Sequence, residues 1–410
     1  MTAVNTATVL DTVFKYKIAD KINNLIPSCG IMQKMIPKIS KAERLGRKFL
    51  WPVALTYENG VTYGDGSAFS YESPIAGIYD EIEIESFPVV LRSQVSVSSA
   101  NRMKTSEQAF ITNMSLRTAN MKESLTKRAE IEILHGKEGL GVVGSITTGG
   151  TTTETITFSD ASWSPGIWGG MEGSLLEARN SSGTLINTTA DIVLSVVDVV
   201  NKAITVTGNA TDLGNVTAAH LIYFKGSYAN SMHGIYKQLK NTGVLFGINA
   251  ATYNLWKANT HSVGGSLTFA QVLQGAAKAV GKGGLMEDAV LLVSAVTFEK
   301  LNADLGALRE FDSSYSGDKL EIGTQNIVYR YQGGKLEVVA HPINKEGEAA
   351  LFPKKGIKRI GTTDITFGFG DGMYFEKLEG QAGYQVLCQY DYVVLISQPA
   401  KCVYYSGITN

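Results

Sequence analysis

The sequence lacks an excess of charge of either sign, and it lacks a long apolar run. Its 410 residues carry 37 Lys and Arg against 38 Asp and Glu, and charged residues make up 18% of the chain, compared with about 25% in ordinary soluble domains. A partner held by bulk charge is therefore not expected. The longest apolar stretch, around residues 289–296, is far shorter than the ~18 residues of a membrane span, so we predict no transmembrane helix. The N-terminus shows no basic segment followed by an apolar run, so we expect no cleaved signal peptide.

Cysteine and proline are also scarce. The chain has three cysteines, Cys29, Cys388 and Cys402, whose spacing fits no metal-binding motif, and we expect them to be reduced thiols. Nine prolines stand against 43 glycines, a glycine share above the usual ~7%, which predicts a strand-rich chain with many tight turns. The length is typical of two or three domains.

Motifs of catalysis are missing. Gly139-Leu140-Gly141-Val142-Val143-Gly144 matches the glycine pattern of dinucleotide sites, but it follows a predicted helix where the motif requires a preceding strand. No phosphate-binding loop, no HExxH and no GxSxG occurs, and the five histidines are never four residues apart. We therefore predict no catalytic residue, no cofactor and no metal site.

The first hundred residues divide into a basic arm and a long excursion. Residues 1–48 carry nine Lys and Arg against three acidic residues, which is typical of an arm that contacts a neighbour or of a solvated helix and tether. The alternation from Trp51 to Tyr63 around Asn59-Gly60 predicts a β-hairpin there. A polar tip follows at residues 64–71, and the alternating residues 81–85 begin a return limb that continues to residue 97.

The remaining segments alternate in type. Residues 102–135 contain no Gly or Pro and carry an apolar stripe, which predicts a long helix ending at Gly136. Residues 143–224 hold only two basic residues and predict a β-rich insertion, with a short helix near 173–178. A compact α/β unit follows, with a helix at 268–281, a strand at 289–294, a helix at 296–308 and a hairpin around Gly333-Gly334. Two closing strands, 384–390 and 392–397, are expected to return to the layer that begins near Val95.

This order of elements resembles the major capsid protein of tailed bacteriophages, the Hong Kong 97 fold. The resemblance spans residues 49–397, and its specificity lies in the order of elements rather than in invariant residues. The stretches that carry it are residues 81–98 running into 102–135, the run Trp168-Gly169-Gly170-Met171-Glu172-Gly173, and residues 333–352 followed by Ile357-Lys358-Arg359-Ile360.

The resemblance implies an α+β chain with the Hong Kong 97-like capsid fold: a long spine helix, an extended hairpin loop, a β-rich insertion and a compact α/β axial domain. The segments expected on this basis are an N-terminal arm (1–48), the extended hairpin loop and following strand (49–97), the spine helix of the peripheral domain (98–142), the β-rich insertion (143–229), a peripheral/axial connection (230–267), the axial domain and associated hairpins (268–380) and closing peripheral-domain strands (381–410).

The resemblance also implies a function without catalysis. The chain would form pentamers and hexamers of an icosahedral shell around double-stranded DNA, which it would contact non-specifically, in a virion assembled in the cytoplasm of a bacterial host. A separate scaffolding protein, a portal and decoration proteins are the further partners implied. The hairpin would lie across a neighbouring subunit, which would account for exposed aromatic side chains on it, Trp51 among them. The candidate inter-subunit contacts are Trp51, Tyr57, Asn59, Gly60, Tyr63, Phe69 and Tyr71.

Three other functions remain open, the first of them within the structural class. An encapsulin-like compartment shell shares the fold but encloses enzymes. The Thr- and Gly-rich insertion is also compatible with a carbohydrate-binding module on a surface. An enzyme is the third class, and its one sequence feature is the glycine pattern at 139–144.

Overall fold

The structure is a computed structural model, and it describes residues 30–39, 43–45, 48–96, 107–147, 151–305, 327–368, 376–377 and 383–410. Cys29, most of the predicted basic arm and the predicted start of the spine helix at 102–106 lie outside these residues.

Helices and strands alternate along the described chain. The α-helices are α1 (Ile31–Met35), α2 (Glu107–His135), α3 (Pro165–Trp168), α4 (Ala210–Gly214), α5 (Ser227–Asn230), α6 (Ile235–Leu239), α7 (Phe269–Gly283) and α8 (Ala295–Leu305). The strands are β1 (Lys38–Ile39), β2 (Glu43–Leu45), β3 (Lys48–Ala54), β4 (Tyr79–Glu85), β5 (Val89–Ser96), β6 (Gly141–Ile146), β7 (Thr153–Phe158), β8 (Leu175–Arg179), β9 (Ile192–Asp198), β10 (Ala203–Thr207), β11 (Leu221–Phe224), β12 (Val244–Leu245), β13 (Ile248–Asn249), β14 (Asn259–Gly265), β15 (Ala289–Val293), β16 (Ile327–Tyr331), β17 (Gly334–Ala340), β18 (Glu348–Pro353), β19 (Ile357–Phe367), β20 (Glu376–Lys377), β21 (Gly383–Ile396) and β22 (Val403–Ile408).

The long helix α2 is the spine around which the other elements are arranged. Met121, Leu125 and Ala129 of its predicted stripe are buried, and every residue from 129 to 136 is buried. The helix packs against β5, β19 and β21 and against the short helices α1 and α6. Its last two turns therefore run through the interior, whereas an ordinary amphipathic helix buries one stripe.

Buried ionisable groups on these turns bind distant parts of the chain. The carboxylate of Glu130, fully buried, accepts hydrogen bonds from the backbone N–H groups of Met32 and Gln33 at the start of α1. It also accepts one from His341 Nε2 at 2.9 Å. His341 Nδ1 accepts from the N–H of Ile343, so the ring proton lies on Nε2 and points at the carboxylate. One side chain thus fastens the N-terminal segment and the residues after β17 to the spine.

Two further groups act in the same way. The ammonium of Lys127 donates to the carbonyl of Gly169 in the insertion. The hydroxyl of Tyr390 on β21 donates to Glu132 Oε2 at 2.7 Å. Burial raises the pKa of Glu132, although the Tyr390 hydroxyl and Arg128 oppose the shift. Burial and the neighbouring Glu132 raise the pKa of Tyr390, so its hydroxyl keeps the proton it donates.

A five-stranded sheet pairs strands from the C-terminal third of the chain with strands from its first hundred residues. The strand order is β1-β19-β21-β20, with β5 also paired to β21. Tyr384 lies opposite Val95, which confirms the predicted return to that layer. The two predicted closing strands are one strand of 14 residues. Asp391, which separates them in sequence, stays in the ladder opposite Thr363, because a single polar residue in an extended run makes no turn.

The insertion is a closed barrel of six strands, in the order β10-β7-β6-β11-β8-β9. The helix predicted near 173–178 is wrong, because these residues include strand β8, which pairs with both β11 and β9. Barrel closure overrides the helix propensity of the Leu-Leu-Glu-Ala-Arg run. The glycine pattern at 139–144 leads into strand β6 and not into a helix, so it forms no dinucleotide-binding turn.

The six-stranded sheet, in the order β14-β22-β18-β15-β17-β16, is covered on both faces. On β15, Leu291 and Val293 pack with α7 and α8, whereas Val290 and Leu292 face the main core around the spine. This accounts for the uninterrupted apolar run of β15, because a strand buried on both faces has no polar side.

This sheet pairs strands from segments that lie far apart in the sequence. β14 lies in the segment predicted as a connection (230–267), and β22 lies in the segment predicted to close the peripheral domain (381–410). Both strands belong to the six-stranded sheet, where they are parallel neighbours. In turn β19, predicted within the axial segment, pairs with β21 in the five-stranded sheet. Strand pairing between distant residues leaves no periodic signal in the sequence. A division of the chain into consecutive segments therefore cannot show which strands share a sheet.

The free cysteines match their prediction. Cys388 and Cys402 are buried and unpaired, and burial raises the pKa of the Cys388 thiol to about 11. Among the helices in the described ranges, none is both long enough and apolar enough to cross a membrane.

Close packing at the end of the spine gives a first testable prediction. A Cβ added to Gly136 would lie 2.2 Å from the carbonyl oxygen of Met232 and 2.6 Å from that of Glu132. Both are backbone atoms that cannot move aside cheaply, so Gly136→Ala should lower the free energy of unfolding by about 2 kcal/mol or more. Denaturant unfolding of the purified, unassembled chain measures this.

The matched control is Gly281→Ala. Gly281 is an exposed position of α7, and a Cβ there meets no atom within 4 Å. Alanine should therefore stabilise the chain by up to about 1 kcal/mol through helix propensity. Equal stability of Gly136→Ala and the unsubstituted chain would contradict the close contact.

Candidate functional site

A long hairpin with a buried base and an exposed tip is the most unusual surface feature. Its base is the β3–β4 ladder, which runs from Lys48 opposite Glu85 to Ala54 opposite Tyr79. The apolar side chains on one face of this base, Phe49, Ile82 and Ile84, are buried. The backbone N–H of Glu83 donates to the carbonyl of Phe246, beside the β12–β13 hairpin, at 3.1 Å. The base is therefore fixed to the body of the protein.

Beyond the base, the two limbs continue as an open ribbon. The N–H of Leu55 donates to the carbonyl of Ile78 at 2.8 Å, and that of Asn59 donates to the carbonyl of Ile75 at 3.0 Å. Farther out, the N–H of Glu72 donates to the hydroxyl of Thr62. These few hydrogen bonds hold the limbs together without a regular ladder.

The turn predicted at Asn59-Gly60 is wrong, because both residues lie within one limb. A Cβ on Gly60 would lie 2.9 Å from the Cα of Pro74 on the opposite limb. The glycine therefore permits close approach of the limbs instead of reversing the chain. The reversal lies within the predicted polar tip, where the carboxylate of Asp65 accepts from the N–H of Ser67 at 2.9 Å. The Ser67 hydroxyl and N–H together lower the pKa of Asp65.

The ribbon exposes aromatic side chains to an unusual degree. Tyr57, Tyr63 and Tyr71 are 86%, 93% and 88% exposed, and Phe69 is 50% exposed. The rings of Phe69 and Tyr71 meet edge to face with their centroids 6.0 Å apart. Large apolar side chains this exposed, and this close together, mark an interaction surface.

Two of the seven predicted contact residues are engaged within their own chain. Trp51 is half-buried against the main core, and the ammonium of Lys358 lies 4.5 Å from its ring centroid. The expectation that Trp51 is exposed is therefore wrong, because it lies in the anchored base. The side-chain amide of Asn59 donates to the carbonyl of Tyr57. For all seven residues, contact with a neighbouring subunit stays a prediction.

The return limb contributes exposed residues that the sequence analysis missed. These are large apolar side chains at least 45% exposed, Ile75 and Ile78 in the ribbon and Tyr79 at the end of the base. They add to Val61 on the outgoing limb, which is 62% exposed. Isolated apolar residues among Ser, Pro and Gly give no periodic signal. Only their position on the ribbon places them beside the tyrosines.

Comparison with known proteins gives results at the level of structure alone. No protein-family model and no curated protein sequence matches the chain. The solved structure of the cyanophage A-1(L) capsid asymmetric unit aligns with 99% of this chain and 100% of its own, at a TM-score of 0.55 and 10% sequence identity. The chain has the Hong Kong 97-like capsid fold.

Two other capsid structures are similar at lower scores. The capsid of a native GTA particle aligns with 99% of this chain and 100% of its own, at a TM-score of 0.49 and 10% identity. The capsid of the myophage XM1 aligns over the same shares, at 0.46 and 8%. The α+β class, the spine helix and the extended hairpin predicted from sequence are confirmed by the described elements and by the alignment with the cyanophage A-1(L) capsid.

A histidine beside the base of the hairpin gives the second prediction. The ring of His233 meets that of Phe246 edge to face, with centroids 5.3 Å apart. Burial, together with the positive charges of Lys137 and Lys237, lowers the pKa of His233 to about 4. The unfolded chain, with an ordinary pKa near 6.5, then binds more protons than the folded chain between about pH 4 and 6.5.

Stability should therefore be lost as the pH falls from about 6.5 towards 4. Between pH 7 and 5, the His233 contribution is about 1–2 kcal/mol, and the variant His233→Gln should lack it. Urea unfolding of the unassembled chain and of the variant at several pH values measures the difference. Parallel pH profiles for the two proteins would refute a buried neutral His233.

Proposed function

We propose that the chain is the major capsid protein of a tailed bacteriophage, which assembles into pentamers and hexamers of an icosahedral shell around double-stranded DNA. The observation that carries this proposal is the exposed aromatic ribbon on a chain with the capsid fold. The shell itself needs no catalytic residue, so the role proposed is structural.

The ribbon supports assembly because it has no partner within the described residues. A two-stranded ribbon with few cross-strand hydrogen bonds is marginal in water, and its exposed tyrosines are of the kind that anchor protein interfaces. A neighbouring copy would supply both apolar contact and hydrogen-bond partners. Each subunit would then cover the ribbon of another, as a closed shell requires.

The anchored base supports a directed contact. Phe49, Ile82 and Ile84 hold the two limbs in the main core, so the ribbon leaves the body from a fixed position. Preorganisation of this kind lowers the entropy lost when a neighbour binds.

The negative charge of the hairpin restricts the chemistry of the surface on a neighbouring subunit that the ribbon would contact. Residues 49–91 contain seven Asp and Glu but no Lys or Arg. A surface of the neighbouring subunit rich in carboxylates would repel them, so we infer that the contacted surface lacks a carboxylate cluster and is apolar where it meets the tyrosines.

The balanced charge of the whole chain suits a DNA container. A net charge of −1 gives no general attraction to phosphates, so packaged DNA would be contacted weakly and without sequence preference. A scaffolding protein, a portal and decoration proteins belong to the same proposal, as does assembly in the cytoplasm of a bacterial host.

The side chains of the barrel give little support to the carbohydrate-binding alternative. Its large aromatic side chains Phe158, Trp163 and Trp168 are buried and pack on one another. The large apolar side chains that the described part of the barrel exposes are aliphatic: Leu175, Val196, Val199 and Val200. Glycan platforms need exposed rings, so a surface lectin is disfavoured. An encapsulin-like shell remains distinguishable by its contents, enzymes instead of nucleic acid.

The double variant Tyr57→Asp/Tyr63→Asp tests the proposal. Placing two carboxylates in an apolar contact should reduce the yield of closed shells or capsomer rings at least tenfold, because a buried unpaired charge is costly. Negative-stain electron microscopy, with and without a crowding agent, measures the yield. Circular dichroism and thermal unfolding should show that the variant chain stays folded.

Val200→Asp is the matched control, because Val200 is 88% exposed but lies on the barrel. It should assemble as the unsubstituted chain does. Unchanged particle yield for the double tyrosine variant would remove the argument from the ribbon. An unsubstituted chain that stays monomeric under every condition would contradict assembly without the scaffolding protein.

A further inference from the structure

Three buried or nearly buried ligand atoms converge where the spine meets the six-stranded sheet. His135 is the last residue of α2, Glu138 lies in the turn that follows, and Glu348 is the first residue of β18. His135 Nδ1 lies 3.5 Å from Glu138 Oε2 and 3.6 Å from Glu348 Oε1. The side chain of His135 is fully buried, and those of Glu138 and Glu348 are 12% and 5% exposed.

When the His135 imidazole is neutral, each of these three atoms can only accept a hydrogen bond. His135 Nε2 lies 3.2 Å from the carbonyl oxygen of Ile343, and a carbonyl cannot donate, so the ring proton is on Nε2. Nδ1 then presents a lone pair to two carboxylate oxygens. Within the described chain, none of the three atoms has a hydrogen-bond partner. Three buried acceptors without a donor are unfavourable, and a cation between them would remove the conflict.

The outer atoms of the same side chains are all held. The ammonium of Lys240 donates to Glu138 Oε1 and, at 2.6 Å, to Glu348 Oε2. The hydroxyl of Tyr404 also donates to Glu348 Oε2, at 3.2 Å. The ring of Tyr236 stacks on that of His135, with centroids 5.1 Å apart. Ligands fixed from outside, with a histidine N–H on a backbone carbonyl, are characteristic of metal sites.

Two ammonium groups lie near the cluster. Lys240 contacts both carboxylates, and Lys345 donates to the carbonyl of Gly139, next to Glu138, at 2.9 Å.

We propose that His135 Nδ1, Glu138 Oε2 and Glu348 Oε1 bind a divalent transition-metal ion of the Zn²⁺ type. Ligand atoms about 2.1 Å from a tetrahedral Zn²⁺ lie roughly 3.4 Å apart, close to the two measured separations. A water molecule would be the fourth ligand. Because Lys240 and Lys345 offset the two carboxylates, the ion is held by its bonds to ligands rather than by net negative charge, which favours Zn²⁺ over Mg²⁺ or Ca²⁺.

The ion would tie the end of the spine to β18. It would do so whether or not the chain forms a shell, so the proposal is independent of the capsid role.

The experiment uses the full chain without a polyhistidine tag, stripped with a chelator and dialysed against ZnCl₂. Elemental analysis should give about one Zn²⁺ per chain, and titration calorimetry a Kd of about 1 μM or below. Zn²⁺ should also raise the Tm. Co²⁺ in place of Zn²⁺ should give the visible absorption of a tetrahedral site, a readout that needs no variant.

His135→Gln should weaken binding at least about 100-fold. The matched control is His261→Gln, which removes a histidine on β14 outside the cluster and should bind as tightly as the unsubstituted chain. If His135→Gln fails to fold, Glu138→Gln provides the same test from a less buried position. A folded, unsubstituted chain that binds neither Zn²⁺ nor Co²⁺ would overturn the proposal, as would binding that survives in both cluster variants.

Discussion

The last two turns of the spine helix are buried on all sides, yet they carry Glu130, Glu132 and His135, and Lys127 just before them is buried as well. Each of these groups needs a partner in the interior, because an unpaired buried charge is costly. The partners come from different units of the fold. Lys127 reaches the insertion, Glu130 reaches the N-terminal segment and the loop after β17, His135 reaches the same loop, and Glu132 reaches β21. Satisfying four polar groups on one helix therefore fixes how the sheets, the barrel and the N-terminal segment meet.

The same division between buried and exposed governs the hairpin. Phe49, Ile82 and Ile84 at its base join the core, whereas the tyrosines beyond Leu55 have nothing to cover them in the described chain. A monomer gains nothing by holding such a ribbon away from its body. A subunit that exchanges ribbons with its neighbours gains the apolar contact that its own core does not supply. A firm base and an uncovered tip are thus what the proposed assembly surface requires.

Sequence reasoning found elements that follow from local patterns. The spine helix, the return of the last long strand to β5 and the hairpin of β16 and β17 lie where composition and periodicity place them. It failed where tertiary contacts override local preference. The residues of strand β8 have helix propensity, but they pair as a strand in the barrel. Asn59-Gly60 predicts a turn, but Gly60 lies within one limb beside Pro74 of the other. Trp51 reads as an exposed aromatic until the anchored base is known.

The sequence by itself determined the class of the protein: α+β, with balanced charge, no catalytic motif of known spacing, and an order of elements that resembles phage capsid subunits. Hydrophobic periodicity and turn chemistry are local, so they can be read along the chain. Only the tertiary structure decided which residues form sites. Glu348 lies 210 positions beyond Glu138 in the sequence. Ile75 and Tyr57 share the exposed ribbon only because the two limbs run side by side. Contacts between distant residues depend on how the whole chain packs, and no local pattern encodes them.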